Sequence, residues 1–171
     1  NTDPDRITIM GDSAGGNLAA AVCMMARDRG EFFPKKQILI YPALNNCYTE
    51  ESPFESVRTN GTGYLLTAEK MEDYLKLYES SPKDRQNSYF APILAKDFRN
   101  MPDTLILTAE FDPLRDEGEA FGGNLKAAGN RVEVYRIAGA FHGYFALGIK
   151  FLHVQESFEY MNRFLEREEQ K

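Results

Sequence analysis

The stretch Ile7-Thr8-Ile9-Met10-Gly11-Asp12-Ser13-Ala14-Gly15-Gly16 constrains this chain more than any other. A short β-branched run ends in a glycine-bracketed serine and passes directly into an apolar segment of helical character. A strand that reverses into a helix within one or two residues brings backbones too close for side chains, so Gly11 and Gly15 are expected to flank the turn. Ser13 then stands at the apex with its hydroxyl outward. The backbone N–H that follows, on Ala14, faces the same space, and the helix N-terminus adds positive potential there. A glycine-flanked serine between strand and helix also serves as an N-cap or as a phosphate-cradling loop. What decides is whether an acid and a histidine follow in the right order.

The 171 residues suffice for one domain with a real core, and 43% hydrophobic with 27% charged residues is ordinary for a globular protein. A net charge of −6 and a pI near 5.0 argue against nucleic acid or an anionic membrane as partner, because no basic patch offsets the repulsion. No apolar run approaches the roughly 20 residues that span a bilayer. Cys23 and Cys47 do not make a disulfide framework, so a reducing, cytoplasmic setting is expected. The start at Asn1 rather than methionine leaves a removed leader open. No cysteine–histidine cluster has zinc-ligand spacing, and no metal or organic cofactor is expected.

In chain order, a polar turn at residues 1–6 leads into a strand over 6–10 and the serine turn. Residues 16–29 read as a helix apolar on nearly all sides and therefore buried, with Leu18, Ala21, Val22, Met24 and Met25 supplying bulk. A second strand covers 37–41 and stops at Pro42. From 45 to 101 the chain turns polar and turn-rich, with one clear helix that Thr67 can cap. Met71, Tyr74, Leu75 and Tyr78 share one face of it, and helical-period aromatics of this kind point first to packing on the main domain. A third strand covers 104–109, and its C-terminal loop is Glu110-Phe111-Asp112-Pro113-Leu114. A helix over 115–128 places Asp116 and Glu117 in its first turn, where negative charge is favoured. A fourth strand over 131–137 and the loop Ala138-Gly139-Ala140-Phe141-His142-Gly143 precede a last helix striped by Phe151, Val154, Phe158, Met161 and Leu165, with a solvated tail over 166–171. Strand and helix alternate four times, which predicts an α/β fold of four parallel strands with helices on both faces.

In such sheets chemistry collects beyond the carboxyl ends of the strands, and Ser13, Asp112 and His142 each follow a strand there. Their order, serine then acid then histidine, is that of α/β-hydrolases. His153, on the last helix, reads as a solvated side chain. Asp12, Asp97, Asp103, Asp116 and Glu117 compete with Asp112, but Asp12 is too near Ser13, and Asp116 and Glu117 are explained as first-turn charges. In the resulting scheme Ser13 attacks an acyl carbonyl, His142 shuttles the proton and Asp112 orients the imidazole. Phe111, Phe141, Tyr144 and Phe145 are candidates for a substrate pocket, although aromatics beside such loops serve equally as packing.

The segments Gly11-Asp12-Ser13-Ala14-Gly15-Gly16, Asp112-Pro113-Leu114-Arg115-Asp116-Glu117-Gly118 and Phe141-His142-Gly143-Tyr144 resemble the C-terminal half of hormone-sensitive-lipase-like esterases of the α/β-hydrolase fold. Tyr41-Pro42, Gly63-Tyr64-Leu65-Leu66-Thr67 and Tyr89-Phe90-Ala91-Pro92 extend the likeness along the middle. The resemblance implies a carboxylesterase acting on short-acyl, small-molecule esters, with Ser13, Asp112 and His142 catalytic. It also implies core segments over 1–44 and 102–171 and part of a cap over 45–101. The family's upstream histidine–glycine loop is not in these residues, which leaves Ala14 as the oxyanion donor and predicts an impaired chain when alone, since one lost donor costs roughly 10² to 10³ in rate. The strand at Ile7–Met10, interior in the family, would here have an open edge that must find a partner: a second copy, a separate chain or aggregation. Two further readings use the same fold, a ligand-binding protein without catalysis and a serine peptidase.

Overall fold

A computed structural model describes residues 6–167; the sequence-based readings for residues 1–5 and 168–171 lie outside them. Four strands, β1 (Thr8–Asp12), β2 (Lys36–Ile40), β3 (Asp103–Phe111) and β4 (Val132–Phe141), form one sheet in the order β1-β2-β3-β4. All three pairings are parallel. The two inner strands are buried almost end to end because both of their faces are covered. Ile38, Ile40, Leu105, Leu107 and Ile137 pack on one face against Val154, Met161 and Phe164 of α5 (Leu152–Glu166). On the other, Leu39 and Ile106 meet Ala19, Ala20, Cys23 and Met24 of α1 (Ala14–Arg29) and Phe121 and Leu125 of α4 (Arg115–Ala127).

Between β2 and β3 lie α2 (Glu55–Thr59), α3 (Ala68–Tyr78) and two short 3-10 turns. This stretch buries a cluster of its own, Tyr48, Val57, Leu66, Met71, Leu75, Phe90 and Ala91, which closes on Leu114 at the start of α4. Thr67 caps α3 by accepting from the Lys70 N–H at 3.2 Å. Arg85 holds the same helix from the side, paired with Glu72 at 2.8 Å and Glu79 at 2.6 Å.

The structure departs from the sequence-based reading in several places. The helix after Ser13 is not buried all round: Ala19, Ala20, Cys23 and Met24 face the sheet, while Leu18 is 53% exposed and Val22 48%. Small side chains at Ala19 and Ala20 let α1 lie close to β2, and Leu18 and Val22 turn outward. On α5 the buried face is Val154, Ser157, Met161 and Phe164, and Leu165 points out. Finally, β3 and β4 run on past their expected ends. Their ladder continues through a bulge to Phe111 opposite Phe141, helped by the Gly139 N–H donating to the Glu110 carboxylate at 2.7 Å. Residues expected in loops are therefore strand, and Asp112 and His142 come directly off two rigid neighbouring strand ends.

The reversal from β1 to α1 is so tight that a Cβ on Gly11 would lie 2.1 Å from the Gly15 carbonyl oxygen. A Cβ on Gly16 would lie 2.8 Å from the Pro42 Cβ, at the end of β2. Gly15 itself has room, its nearest outside neighbour being 4.0 Å away. The two glycines that steric contact demands are thus Gly11 and Gly16, rather than Gly11 and Gly15. In thermal melts of the intact protein, Gly11→Ala and Gly16→Ala should each cost at least about 1–3 kcal/mol through overpacking. Gly15→Ala should be neutral or stabilising by up to about 1 kcal/mol from helix propensity.

Candidate active site

Ser13 sits between β1 and α1 with φ 54° and ψ −119°, a conformation costing a non-glycine residue on the order of 1–3 kcal/mol. Neighbouring backbone holds it there. The Ser13 N–H donates to the Ile40 carbonyl at 2.9 Å, and the Ser13 carbonyl accepts from the N–H groups of Asn17 and Ala43, both at 3.2 Å. The apex is thus tied to the end of β2 as well as to its own helix, which fixes where the hydroxyl points.

His142 leaves the end of β4, and Gly143 (φ 81°) turns the chain away behind it. The Ser13 hydroxyl lies 2.9 Å from His142 Nε2, and His142 Nδ1 lies 2.7 Å from Asp112 Oδ2. With an ionised Asp112 the proton sits on Nδ1, so Nε2 accepts from Ser13. Asp112 is fully buried, and its other oxygen accepts the Leu114 N–H at 2.9 Å, which locks the carboxylate's rotation. The competing acids are engaged elsewhere. Asp97 pairs with Arg99, Asp103 with Arg131 and Asp116 with Arg115, while Asp12 accepts from the Tyr41 hydroxyl at 3.3 Å. Tyr41, buried and itself at φ 34°, places its ring 4.7 Å from the imidazole. His153 packs beside Gly139 and the edge of the Tyr144 ring, partly buried rather than freely solvated.

A cleft of about 480 Å³ opens at Ser13, lined mainly by Leu18, Met71, Tyr74, Leu75, Tyr78 and Phe90, with Asn17 and Asn45 as its polar side chains. Ala14 lies at its rim; as the first residue of α1 its N–H has no acceptor within the helix. The Asn17 side chain donates to the carbonyls of Ala43 and Phe90, both at 2.8 Å, and so ties the serine helix to two cleft walls. The α3 stripe splits into two jobs. Met71 and Leu75 are buried, whereas Tyr74 and Tyr78 are more than half exposed and face the cleft. Tyr78 also stacks on Phe90, with ring centroids 4.8 Å apart.

Of the aromatic residues expected near substrate, Phe111, Phe141 and Tyr144 do not line this cleft. Phe111 stacks on Tyr64 at 5.3 Å. Phe141 is partly buried at the end of β4. Tyr144 is wholly buried, its hydroxyl 2.7 Å from Ser157 of α5, and is a core residue rather than a cleft wall. Asn17 and the outward face of α3 were missed because both gain their role only when residues distant in the chain close over them. Glu117 was also misread. It is no solvated first-turn charge but a fully buried carboxyl whose Oε1 accepts the N–H groups of Leu44 (2.6 Å) and Asn45 (3.2 Å) and the Tyr48 hydroxyl (2.8 Å). Among the described residues no group of three or more histidine, cysteine, aspartate or glutamate side chains converges to hold a metal, and no helix is long and apolar enough to cross a membrane.

Comparison with known proteins agrees with this architecture. A family model described as the α/β hydrolase fold matches residues 1–146. The chain is 36% identical over 149 residues to the carboxylic ester hydrolase LipN of Mycobacterium tuberculosis, covering 84% of this chain and 39% of that protein. It is 35% identical to an ethyl acetate hydrolase of Pseudomonas putida, covering 85% and 45%. Among solved structures, the hyperthermophilic esterase of Pyrobaculum calidifontis superposes with a TM-score of 0.82 at 41% identity, covering 96% of this chain and 52% of that one. The chain thus spans less than half the length of the Mycobacterium and Pseudomonas relatives and about half of the Pyrobaculum esterase. With a parallel sheet, a serine at a strained strand-to-helix turn and a family match over most of its residues, this chain belongs to the α/β-hydrolase fold family.

Proposed function

We propose that this chain carries the nucleophile, base and acid of a serine carboxylesterase acting on short-acyl, small-molecule esters. The observation that supports this most is the unbroken line of two hydrogen bonds from Ser13 through His142 to Asp112, 2.9 and 2.7 Å long. Ser13 Oγ attacks the ester carbonyl while His142 Nε2 takes its proton, and the developing oxyanion meets the N–H of Ala14 and the positive end of α1. His142 then gives the proton to the departing alcohol. Asp112 keeps the Nδ1–H tautomer in place and stabilises the imidazolium. Water repeats the cycle on the acyl-enzyme. Residues 45–101 act as part of a cap, and the cleft against Met71, Tyr74, Leu75 and Tyr78 takes one apolar arm of the ester, each buried methylene contributing about 0.8 kcal/mol. Phe111 and Phe141, adjacent in the chain to Asp112 and His142, belong to the other side of the substrate.

In the intact protein, Ser13→Ala and His142→Ala should each lower hydrolysis of p-nitrophenyl acetate by roughly 10⁴ to 10⁶, and Asp112→Asn by about 10⁴. Hydrolysis that survives Ser13→Ala refutes the assignment. A wild type that binds esters without cleaving them supports instead a ligand-binding relative of the same fold.

The outer edge of the described sheet supports a second proposal. β1 pairs only with β2, and Met10 is 59% exposed. An apolar strand with an unpaired row of backbone groups is a template for another chain, and we infer that the 171-residue chain self-associates through it. Light scattering at high concentration should give species larger than one chain, whereas a clean monomer contradicts the inference.

A further inference from the structure

Among the described residues, Glu117 is the one fully buried carboxyl that the proposed chemistry does not use. It lies five residues beyond Asp112, on the first turn of α4. All three of its hydrogen bonds converge on Oε1, from residues 44–48 in the chain that follows β2. Oε2 is buried without a hydrogen-bond partner, and among the described residues no lysine, arginine or histidine pairs with the carboxyl. The chain it gathers is the one that contributes Ala43 and Asn45 to the cleft at Ser13.

We propose that Glu117 is a positioning residue for this site: through a single buried oxygen it draws the segment after β2 onto the first turn of α4, holding the cleft wall in register with the loop that carries Asp112. The proposal rests on the ester-cleavage reading above. The charge state follows from the surroundings. Burial pushes the Glu117 carboxyl up to about 8 from its ordinary 4.5, against the pull of its three donors, and the nearby Asp112 carboxylate adds to the rise. The groups facing it are Asp112 and the Tyr48 phenol, itself held well above its usual range by burial. Asp116, next to it on α4, is turned away to Arg115 and to the Ser56 N–H. At neutral pH Glu117 is therefore the uncharged acid. That avoids an unsolvated charge on the unpartnered Oε2.

The sign of the pH effect follows. A carboxyl raised from 4.5 to about 8 on folding stabilises most below pH 4.5, and that contribution is lost as the pH rises towards 8. Glu117→Gln keeps an acceptor oxygen for the three donors and cannot ionise. Glu117→Ala leaves those donors bare. In the intact protein the test combines infrared spectroscopy of protonated carboxyl groups with the pH profile of kcat/KM for p-nitrophenyl acetate. Wild type should show a buried protonated-carboxyl band at pH 7 that is absent in Glu117→Gln and fades between pH 7 and 9, together with an alkaline fall in kcat/KM that Glu117→Gln lacks. Glu117→Ala should lose at least 10-fold in kcat/KM, and Glu117→Gln should restore most of that loss. An active wild type in which Glu117→Ala keeps its kcat/KM, or in which Glu117→Gln restores none of the loss, overturns the positioning role alone, and a missing band or an alkaline fall unchanged in Glu117→Gln overturns the uncharged state assigned to it. A wild type that keeps the band but cleaves no ester overturns the ester-cleavage reading, and the role with it.

Discussion

Everything in this chain hangs on how closely α1 approaches the ends of β1 and β2. The reversal at Ser13 leaves no room for a side chain at Gly11 or Gly16, and within that contact the serine is forced to φ 54°. Five backbone hydrogen-bonding groups, the N–H and carbonyl of Ser13, the Ile40 carbonyl and the N–H groups of Asn17 and Ala43, are satisfied in the same few ångströms. The strain at Ser13 persists because the surrounding ladder and helix over-determine it. The hydroxyl is thereby held above the carboxyl end of the sheet.

The parallel sheet then does the rest of the positioning. β3 and β4 stay paired, through a bulge, as far as Phe111 opposite Phe141, so the next residue in each case, Asp112 and His142, emerges at the same level. A two-bond line across three chain segments needs no flexible loop to close it. The walls are attached to the same frame. Asn17 anchors the serine helix to Ala43 and Phe90, and Glu117 anchors the chain after β2 to the helix that follows Asp112.

The parts of this arrangement that were legible in the sequence are those with a local signature. The glycine–serine turn, four apolar strand segments separated by helices, and an acid and a histidine after the last two strands predict the parallel sheet and the three residues that it brings together. Chain ends of strands were less legible, because Ala138-Gly139-Ala140 looks like a turn until Glu110 is seen to hold it in the ladder. Helix faces were misjudged where bulk and burial diverge, at Leu18 and Val22 on α1 and at Leu165 on α5. Glu117 was the least legible. A carboxylate in a helix's first turn has a sufficient local explanation, and only the packing of residues 44–48 over it removes the water that explanation needs. Tyr74 and Tyr78 share that difficulty, since a helical stripe does not say which of its members the cleft will expose.

The imidazole's bond to Asp112 is the link that defines the site, and it has a direct signature. In proton NMR of the intact protein, the Nδ1 proton of His142 should give an exchange-protected resonance far downfield of the amide envelope, lost in Asp112→Ala and retained in Ser13→Ala. A spectrum with no such resonance, or one in which it survives removal of the Asp112 carboxylate, contradicts the account.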